Sequence, residues 1–225
     1  LTSTTVKKVA INGTSGADTI IVDFANGTFA PGSDAGVGIA IVGGGGSDVI
    51  KYRGQASAAD TLMIGGTLQA TDIAFNTDAF KDITVTNGAN VSLTFSLGGG
   101  ADTTSTVGGA YGVPNGLTGS LTVYGGAGDD VFTSGEGANE TFFGGSELDA
   151  GSGNDTVTYA ARTQTVDVTV GPTGFAASAD DGVGSETDDI KVDVETVVGG
   201  SAADNFKGNA GNQIFKGGAG NDTFY

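Results

Sequence analysis

The chain of 225 residues contains no cysteine and no histidine. Without cysteine it cannot form a disulfide bond, so its thiol chemistry does not reveal its redox compartment. Without histidine it cannot build, from its own residues, a zinc-protease motif or the histidine-dependent pairs that activate serine and cysteine nucleophiles. These two absences exclude several common classes of hydrolase.

Basic residues are also scarce. The chain has 9 lysines and arginines against 26 aspartates and glutamates, which gives a formal net charge of −17 and a pI of about 4.1. Such a chain repels nucleic acid and anionic membranes and attracts cations. No apolar run approaches the roughly 18 residues that a membrane span needs. We therefore expect no nucleic-acid binding and no membrane insertion.

Glycine is abundant, with 42 residues, while apolar residues make up 38% of the chain. Short β-type runs precede most of the glycine-rich loops, for example 39–42, 91–97 and 121–124. No stretch shows the sustained 3.6-residue periodicity of an amphipathic helix. The pattern predicts an all-β protein whose unit is a strand, a loop of glycine and acidic residues, and another strand.

Three nonapeptides follow one another at 199–207, 208–216 and 217–225. Each begins with glycine and has phenylalanine at position eight. Position six is Asp204, Gln213 and Asp222 in turn. Glycine permits tight turns, and aspartate supplies a hard anionic oxygen. Since position eight is the one large apolar residue in each repeat, it is the predicted core residue.

The same nine-residue pattern recurs upstream. Copies at 43–51 and 125–133 match fully, 13–21 lacks only the second glycine, and 150–158 lacks only the first. A weaker copy at 97–105 has Thr104 at position eight. Between 125 and 158 the motif is almost continuous, because a copy at 134–142 places Asn139 at position six and 144–149 begins another.

The last nonapeptide resembles the G-G-x-G-x-D-x-U-x repeat of the RTX family. This resemblance implies a parallel β-roll in which calcium lies between the loops of successive turns, held by backbone carbonyls and position-six carboxylates. The candidate calcium ligands are then Asp18, Asp48, Asp102, Asp130, Asp149, Asp155, Asp204 and Asp222. The alternative for each is an ordinary turn residue, since aspartate favours turns.

The loops start at intervals of roughly one or two units of about 27 residues, which predicts a β-solenoid. The expected segments are a solenoid-like region (1–124), a β-roll (125–158), a strand insertion with an acidic loop (159–198) and the nonapeptide array (199–225). Segments 20–40 and 68–96 could instead be insertions or a small β-sandwich. The acidic stretch 180–189 lacks EF-hand spacing, so we expect a solvated surface loop there rather than an ion site.

Carboxylates packed in successive loops repel one another until a cation binds, so calcium binding and folding are expected to be coupled. We expect an extracellular structural or adhesive module of a larger secreted surface protein, such as a surface-layer protein, adhesin or filament, exported by type I secretion as RTX proteins generally are. Candidate partners are further copies of the protein, in a lattice or filament, and a cell-surface polysaccharide.

Two alternatives remain open. The chain could be the calcium-folded tail of a secreted hydrolase or toxin, or a calcium-dependent polysaccharide lyase. A lyase needs a base and a cation in one cleft, and Lys51-Tyr52-Arg53 is the one basic-aromatic cluster of the sequence. Because these residues fit a strand with exposed cations better, we expect no enzymatic activity.

Overall fold

A computed structural model describes residues 8–26, 38–67, 69–75, 79–86, 91–137, 139–146, 153–171, 181–184 and 186–225. Within these ranges all twenty regular elements are β-strands, and there is no helix. The prediction of an all-β protein is therefore confirmed. No helix that could cross a membrane occurs in the described ranges.

The strands, numbered in chain order, form three sheets. The large sheet contains eleven strands: β1 (Val9–Asn12), β3 (Ile39–Val42), β5 (Thr61–Thr67), β6 (Ala70–Ala74), β7 (Ile83–Thr86), β9 (Thr103–Ser105), β10 (Leu117–Thr118), β12 (Val131–Thr133), β14 (Thr156–Thr158), β17 (Thr196–Val198) and β19 (Ile214–Lys216). The six-stranded sheet contains β2 (Thr19–Asp23), β4 (Asp48–Arg53), β8 (Val91–Gly99), β11 (Ser120–Ala127), β13 (Asn139–Phe143) and β16 (Asp189–Ile190). The C-terminal sheet contains β15 (Asp167–Thr169), β18 (Asn205–Lys207) and β20 (Thr223–Phe224).

Strand pairing is parallel except around β6. The large sheet runs in the order β1-β3-β7-β6-β5-β9-β12-β14-β17-β19, with β10 beside β5. In it β6 pairs antiparallel with both β5 and β7. The six-stranded sheet runs β16-β13-β11-β8-β4-β2, and the C-terminal sheet runs β15-β18-β20. Mostly parallel, all-strand pairing of this kind is consistent with an RTX β-roll. The division into four segments stays a prediction.

The hydrophobic core contains the inward-facing residues of the sheets. Because side chains alternate between the two faces of a strand, every second residue of β8 and β11 is buried. The position-eight residues Ile50, Phe132, Val157 and Phe206 are 5% exposed or less. The prediction that position eight supplies the core is confirmed at these sites but is wrong for Phe224 of the last repeat, which is 52% exposed.

The segment from 68 to 96 shares this core where it is described. It contributes β6 and β7 to the large sheet and β8 to the six-stranded sheet. Phe75 follows β6 and packs its ring against Phe24 at 5.0 Å and Tyr52 at 5.6 Å. These described strands are therefore part of the same packed unit and not of a separate sandwich.

Candidate calcium-binding loops

The glycine loops have a repeated backbone conformation. In the 125–133 copy, Gly126 at position two and Gly128 at position four have φ of +110° and +125°. Side chains rarely tolerate these angles. The same two positions have positive φ in three further copies, at Gly44 and Gly46, Gly98 and Gly100, and Gly218 and Gly220.

Close stacking of the loops gives these glycines a second role. A Cβ atom added to Gly126 would overlap the carbonyl oxygen of Gly98, and one added to Gly128 would overlap that of Gly100. The C-terminal repeats show the same relation between Gly218 and the oxygen of Gly200. Each loop thus lies directly against backbone carbonyls of the preceding loop.

The acidic residues that precede the strands of the large sheet form one continuous row. The amide of Asp60 donates a hydrogen bond to Asp102 Oδ1 at 2.6 Å, and the amide of Asp102 donates to Asp130 Oδ1 at 2.8 Å. The amide of Asp130 donates to Asp155 Oδ1 at 3.0 Å, and that of Asp155 to Glu195 Oε2 at 2.8 Å. We call these five residues the carboxylate ladder.

Two shorter rows have the same geometry. The amide of Asp18 donates to Asp48 Oδ1 at 3.0 Å, and the amide of Asp204 donates to Asp222 Oδ1 at 2.9 Å. The second pair is 18 residues apart, or two nonapeptides. Gln213 follows Glu195 in register, so it lies at the end of the carboxylate ladder. Asp204 and Asp222 therefore lie together on the opposite side. Asp149 lies outside the described residues.

The first glycine of a repeat packs against the second oxygen of its position-six aspartate. A Cβ on Gly125, Gly199 or Gly217 would overlap or crowd Oδ2 of Asp130, Asp204 or Asp222. For Asp155 this place is taken by Gly144. In the repeat that contains Asp155, Gly144 therefore takes the place of the first glycine, where the sequence pattern placed Ala150.

Burial dominates the electrostatics of the carboxylate ladder. Asp102, Asp130 and Asp155 are 2% exposed or less. Burial, together with the smaller effect of the neighbouring charges of Asp130 and Asp60, raises the pKa of Asp102 to about 7. Burial likewise raises the pKa of Asp130 to about 6 and that of Asp155 to about 7. In each case an amide hydrogen bond opposes the shift.

Two of these buried oxygens, Asp102 Oδ2 and Asp130 Oδ2, accept no hydrogen bond. An unpartnered buried carboxylate oxygen is unfavourable unless a proton or a cation satisfies it. No three acidic side chains in the described ranges are close enough to hold a metal ion together. A cation here would therefore need backbone carbonyls as well.

The donor set fits calcium. Calcium accepts carboxylate and carbonyl oxygens and needs six to eight of them. The best-supported holders are Asp102 and Asp130, because each has a buried Oδ2 without a partner. Backbone carbonyls of the stacked loops would supply the remaining oxygens. A bound ion would supply positive charge to neutralise the two buried carboxylates.

The sequence reading missed two members of the ladder, Asp60 and Glu195. Both lack the full glycine run of the motif. Each nevertheless lies two residues before a fully buried apolar residue, Leu62 and Val197 respectively. An acidic residue at this spacing, immediately before a strand, would have identified them.

A second group of buried polar residues lies between β13 and β16. The amide of Glu140 donates to Asp188 Oδ1 at 2.9 Å, and the hydroxyl of Tyr159 donates to Asp188 Oδ2 at 3.1 Å. Burial, together with the charge of Asp188, raises the pKa of Glu140 to about 8. The buried carboxyl of the 134–142 copy is thus Glu140, next to Asn139, the residue that the motif placed at position six.

Arg162 closes this group. Its guanidinium pairs with Glu186 Oε2 at 2.8 Å and donates to Ser134 Oγ at 3.1 Å and to the carbonyl of Gly135 at 2.6 Å. Its side chain is 1% exposed. No motif in the sequence signalled this residue, because its partners come from distant segments.

The acidic stretch 180–189 is not a solvated loop where it is described. Asp181 and Asp188 are both fully buried. Asp181 accepts hydrogen bonds from the amides of Thr169 and Ile190. The expectation was wrong because these carboxylates are needed as acceptors for backbone amides of neighbouring strands.

Lys51, Tyr52 and Arg53 do not converge on one site. Tyr52 is 3% exposed and packs among Phe24, Phe75 and Phe95. Arg53 points to the opposite, outer face and pairs with Asp23 at 3.1 Å. The alternation of side chains along β4 separates the aromatic hydroxyl from the cations.

The family model of the RTX calcium-binding nonapeptide repeat matches the chain in four copies, over residues 116–141 and 193–225. The suspected family is confirmed for these segments, which include the predicted copies at 125–133, 199–207, 208–216 and 217–225. RTX nonapeptide repeats bind calcium, so the predicted ion is confirmed as well. The copies at 13–21, 43–51, 97–105 and 150–158 lie outside the matched segments. Comparison with curated proteins finds no match.

Proposed function

We propose that this chain, which carries RTX calcium-binding repeats, is an extracellular structural or adhesive module that orders as a parallel β-solenoid when calcium binds. The carboxylate ladder carries the proposal. It aligns five acidic residues at the N-terminal ends of five neighbouring strands of the large sheet. Two of these residues have a buried oxygen without a partner. Such a row is unfavourable as anions and becomes favourable once cations neutralise it.

Calcium concentration would then control rigidity. Extracellular calcium modules bind at roughly 10⁻⁴ to 10⁻³ M. At these affinities the loops stay loose in a low-calcium cytosol and order after export. This behaviour suits a section of a larger secreted surface protein, such as a surface-layer protein, adhesin or filament.

We propose no catalytic role for the chain. Its two arginines are already paired, Arg53 with Asp23 on the outer face and Arg162 with Glu186 inside the fold. Neither is therefore placed as the charge-neutralising group that a polysaccharide lyase needs. The proposed mechanism is ordering by calcium, without turnover.

A second candidate is a calcium-folded secretion tail of a secreted hydrolase or toxin. The three consecutive nonapeptides at 199–225 favour it, since a short, regular array can fold as a unit after export. The neighbouring sequence in the full-length protein decides between the two. An enzyme domain next to this chain supports the tail, and more repeats support the structural module.

The proposal is tested by titrating the full chain with calcium while recording far-UV circular dichroism and the scattering radius, with magnesium as control. We expect a cooperative gain of β signal and compaction at about 0.1–1 mM calcium, and none with magnesium. The double variant Asp102→Asn/Asp130→Asn should shift the midpoint to higher calcium at least about tenfold.

Asp23→Asn is the matched control, because it removes an exposed carboxylate whose ion pair with Arg53 contributes little. A chain that is fully ordered and compact in chelator would overturn the proposal. An unchanged midpoint in the double variant would show that the ladder does not hold the ion.

A further inference from the structure

The outer face of the six-stranded sheet carries rows of hydroxyl and amide side chains. In the register of β8, β11 and β13, Ser92, Ser120 and Asn139 lie side by side. Two residues further along the same strands, Thr94, Thr122 and Thr141 form a second row. Paired strands are about 4.8 Å apart, so the hydroxyls repeat at that interval across the sheet.

A shallow groove of about 620 Å³ runs over this face. Its described lining includes the whole first row, Thr122 and Thr141 of the second row, and Thr187. It also includes four apolar residues, Val49, Val91, Leu93 and Leu121, and one ionisable residue, Asp48. Asp48 is 3% exposed, and its Oδ1 accepts the amide of Asp18. Apart from the buried Asp48, the groove is therefore lined by neutral polar and apolar side chains, on a chain whose net charge is −17.

An aromatic platform continues the face. Tyr124 and Phe143 follow the second row in register and stack at 4.5 Å with an interplanar angle of 17°. Both are half-buried, so part of each ring is open to solvent. Lys191, which pairs with Asp189, lies over the Phe143 ring at 5.4 Å from its centroid. Phe143 is therefore covered by Lys191 and Tyr124, and Tyr124 supplies the aromatic contact of this face.

We propose that this face binds a neutral polysaccharide chain. Hydroxyl and carboxamide groups both donate and accept hydrogen bonds, as sugar hydroxyls do. An aromatic surface beside convergent polar groups is typical of ligand sites, and the C–H face of a sugar ring packs on such a surface. The net negative charge of the chain disfavours an anionic polysaccharide.

This inference deepens the adhesive part of the proposed function and rests on it, because the face exists only when the strands are ordered. Ser47 and Asp48 of the 43–51 copy lie at one end of the groove, but the variants that test the inference change Thr122 and Tyr124, which lie on β11 and are not candidate calcium ligands. The two ideas can therefore fail separately.

The test uses the full chain with millimolar calcium in affinity electrophoresis through gels that contain dextran, laminarin, xyloglucan or galactomannan, with alginate as the anionic comparison. Isothermal titration then quantifies any retention. We expect retention by at least one neutral polysaccharide and weaker binding, by about tenfold or more, in Thr122→Glu and Tyr124→Ala.

Thr133→Glu is the matched control. Thr133 is also a half-buried, outward-facing threonine at the centre of a parallel sheet, between Ser105 and Thr158 on the large sheet. Its variant should bind as the parent does. Circular dichroism and scattering in calcium check that every variant orders.

Four results overturn the inference: no retention of the ordered chain by any of the four neutral polysaccharides, retention by alginate alone, equal weakening in Thr133→Glu, or a dimer that Thr122→Glu abolishes without any polysaccharide binding. Failure to order in calcium would instead overturn the proposed function itself.

Discussion

Individual glycines in the loops combine an unusual backbone angle with a crowded site. Gly128 has φ of +125° and would place an added Cβ against the carbonyl oxygen of Gly100. Gly184 has φ of +68° and open space where a Cβ would lie. Comparing substitutions at these two positions therefore separates the energetic cost of backbone strain from that of steric overlap.

Gly128→Ala is expected to lower the free energy of unfolding by about 3 kcal/mol or more, because strain and overlap act together. Gly184→Ala should cost about 1 kcal/mol, from strain alone. Urea denaturation in saturating calcium measures both. Equal losses in the two variants would contradict the stacking of adjacent loops.

Two buried threonines differ in whether their hydroxyls have partners. Thr104, the position-eight residue of the weak copy, is 1% exposed and its Oγ1 has no hydrogen-bond partner. Thr106 is equally buried, but its hydroxyl donates to Glu140 and accepts the amide of Gly135.

Thr104→Val should therefore raise the free energy of unfolding by about 1 kcal/mol, since it removes an unpartnered polar atom at nearly constant shape. Thr106→Val should lower it by about 1–3 kcal/mol, because it leaves the Gly135 amide without an acceptor. Thermal melting of both variants beside the parent is sufficient. Changes of the same sign would contradict the assigned contacts.

At the level of elements, parallel pairing converts a linear repeat into rows of identical residues. Because β9, β12 and β14 pair in register, the residues immediately before them, Asp102, Asp130 and Asp155, become neighbours. The pair β13 and β16 does the same for Glu140 and Asp188. Here, however, the row points into the interior and meets Arg162.

The β13–β16 pair predicts a pH effect that depends on Glu140. Its pKa in the folded chain, about 8, lies above its ordinary value of 4.5. The folded state therefore retains a proton that the unfolded state loses, and stability falls as pH rises from about 4.5 to 8.

Glu140→Gln cannot ionise, so its free energy of unfolding should exceed that of the parent at pH 9, with the difference shrinking toward pH 4. Urea denaturation across this pH range measures the difference. Glu136→Gln, at an exposed position nearby, should show no such dependence. A Glu140→Gln variant that is less stable at pH 9 would show that the charged form is the one the fold uses.

For the whole molecule, the carboxylate ladder makes stability without calcium depend on pH. The pKa values of Asp102, Asp130 and Asp155 in the folded chain are about 7, 6 and 7, all above the ordinary 3.8. In chelator, stability should thus be greatest near pH 4 and fall steadily toward pH 8.

Calcium should reverse this trend, because it binds the ionised carboxylates and protonation of these carboxylates prevents binding. The ordered fraction by far-UV circular dichroism in chelator, and urea midpoints in millimolar calcium, each at pH 4, 6 and 8, test both statements. The chain has a net charge of −17, so general repulsion between exposed charges could also make stability depend on pH. Salt screens exposed charges far more than buried ones, so a pH dependence that persists at high salt comes from the buried ladder. A chelator series that rises from pH 4 to pH 8 would contradict the burial of the ladder.

The sequence predicted the repeating chemistry better than the connections. Alternating strands, position-eight core residues such as Phe132 and Phe206, and carboxylates such as Asp130 and Asp204 all follow from local pattern. Strand pairing was harder, because the paired acidic residues are 30, 42, 28, 25, 40 and 18 apart along the chain. A spacing near 27 describes only some of these intervals.

The sequence by itself determined the strand–loop unit, the calcium chemistry and most of the acidic residues, because a nonapeptide holds its turn glycines, its carboxylate and its core residue within nine positions. Only the tertiary structure assigned Asp60 and Glu195 to the ladder, placed Gly144 against Asp155 and buried Arg162 with Glu186. These contacts join residues 11 to 42 positions apart, or come from copies that have lost their glycines. Whether such residues meet depends on which strands pair and on the length of chain between them, and no local pattern encodes either.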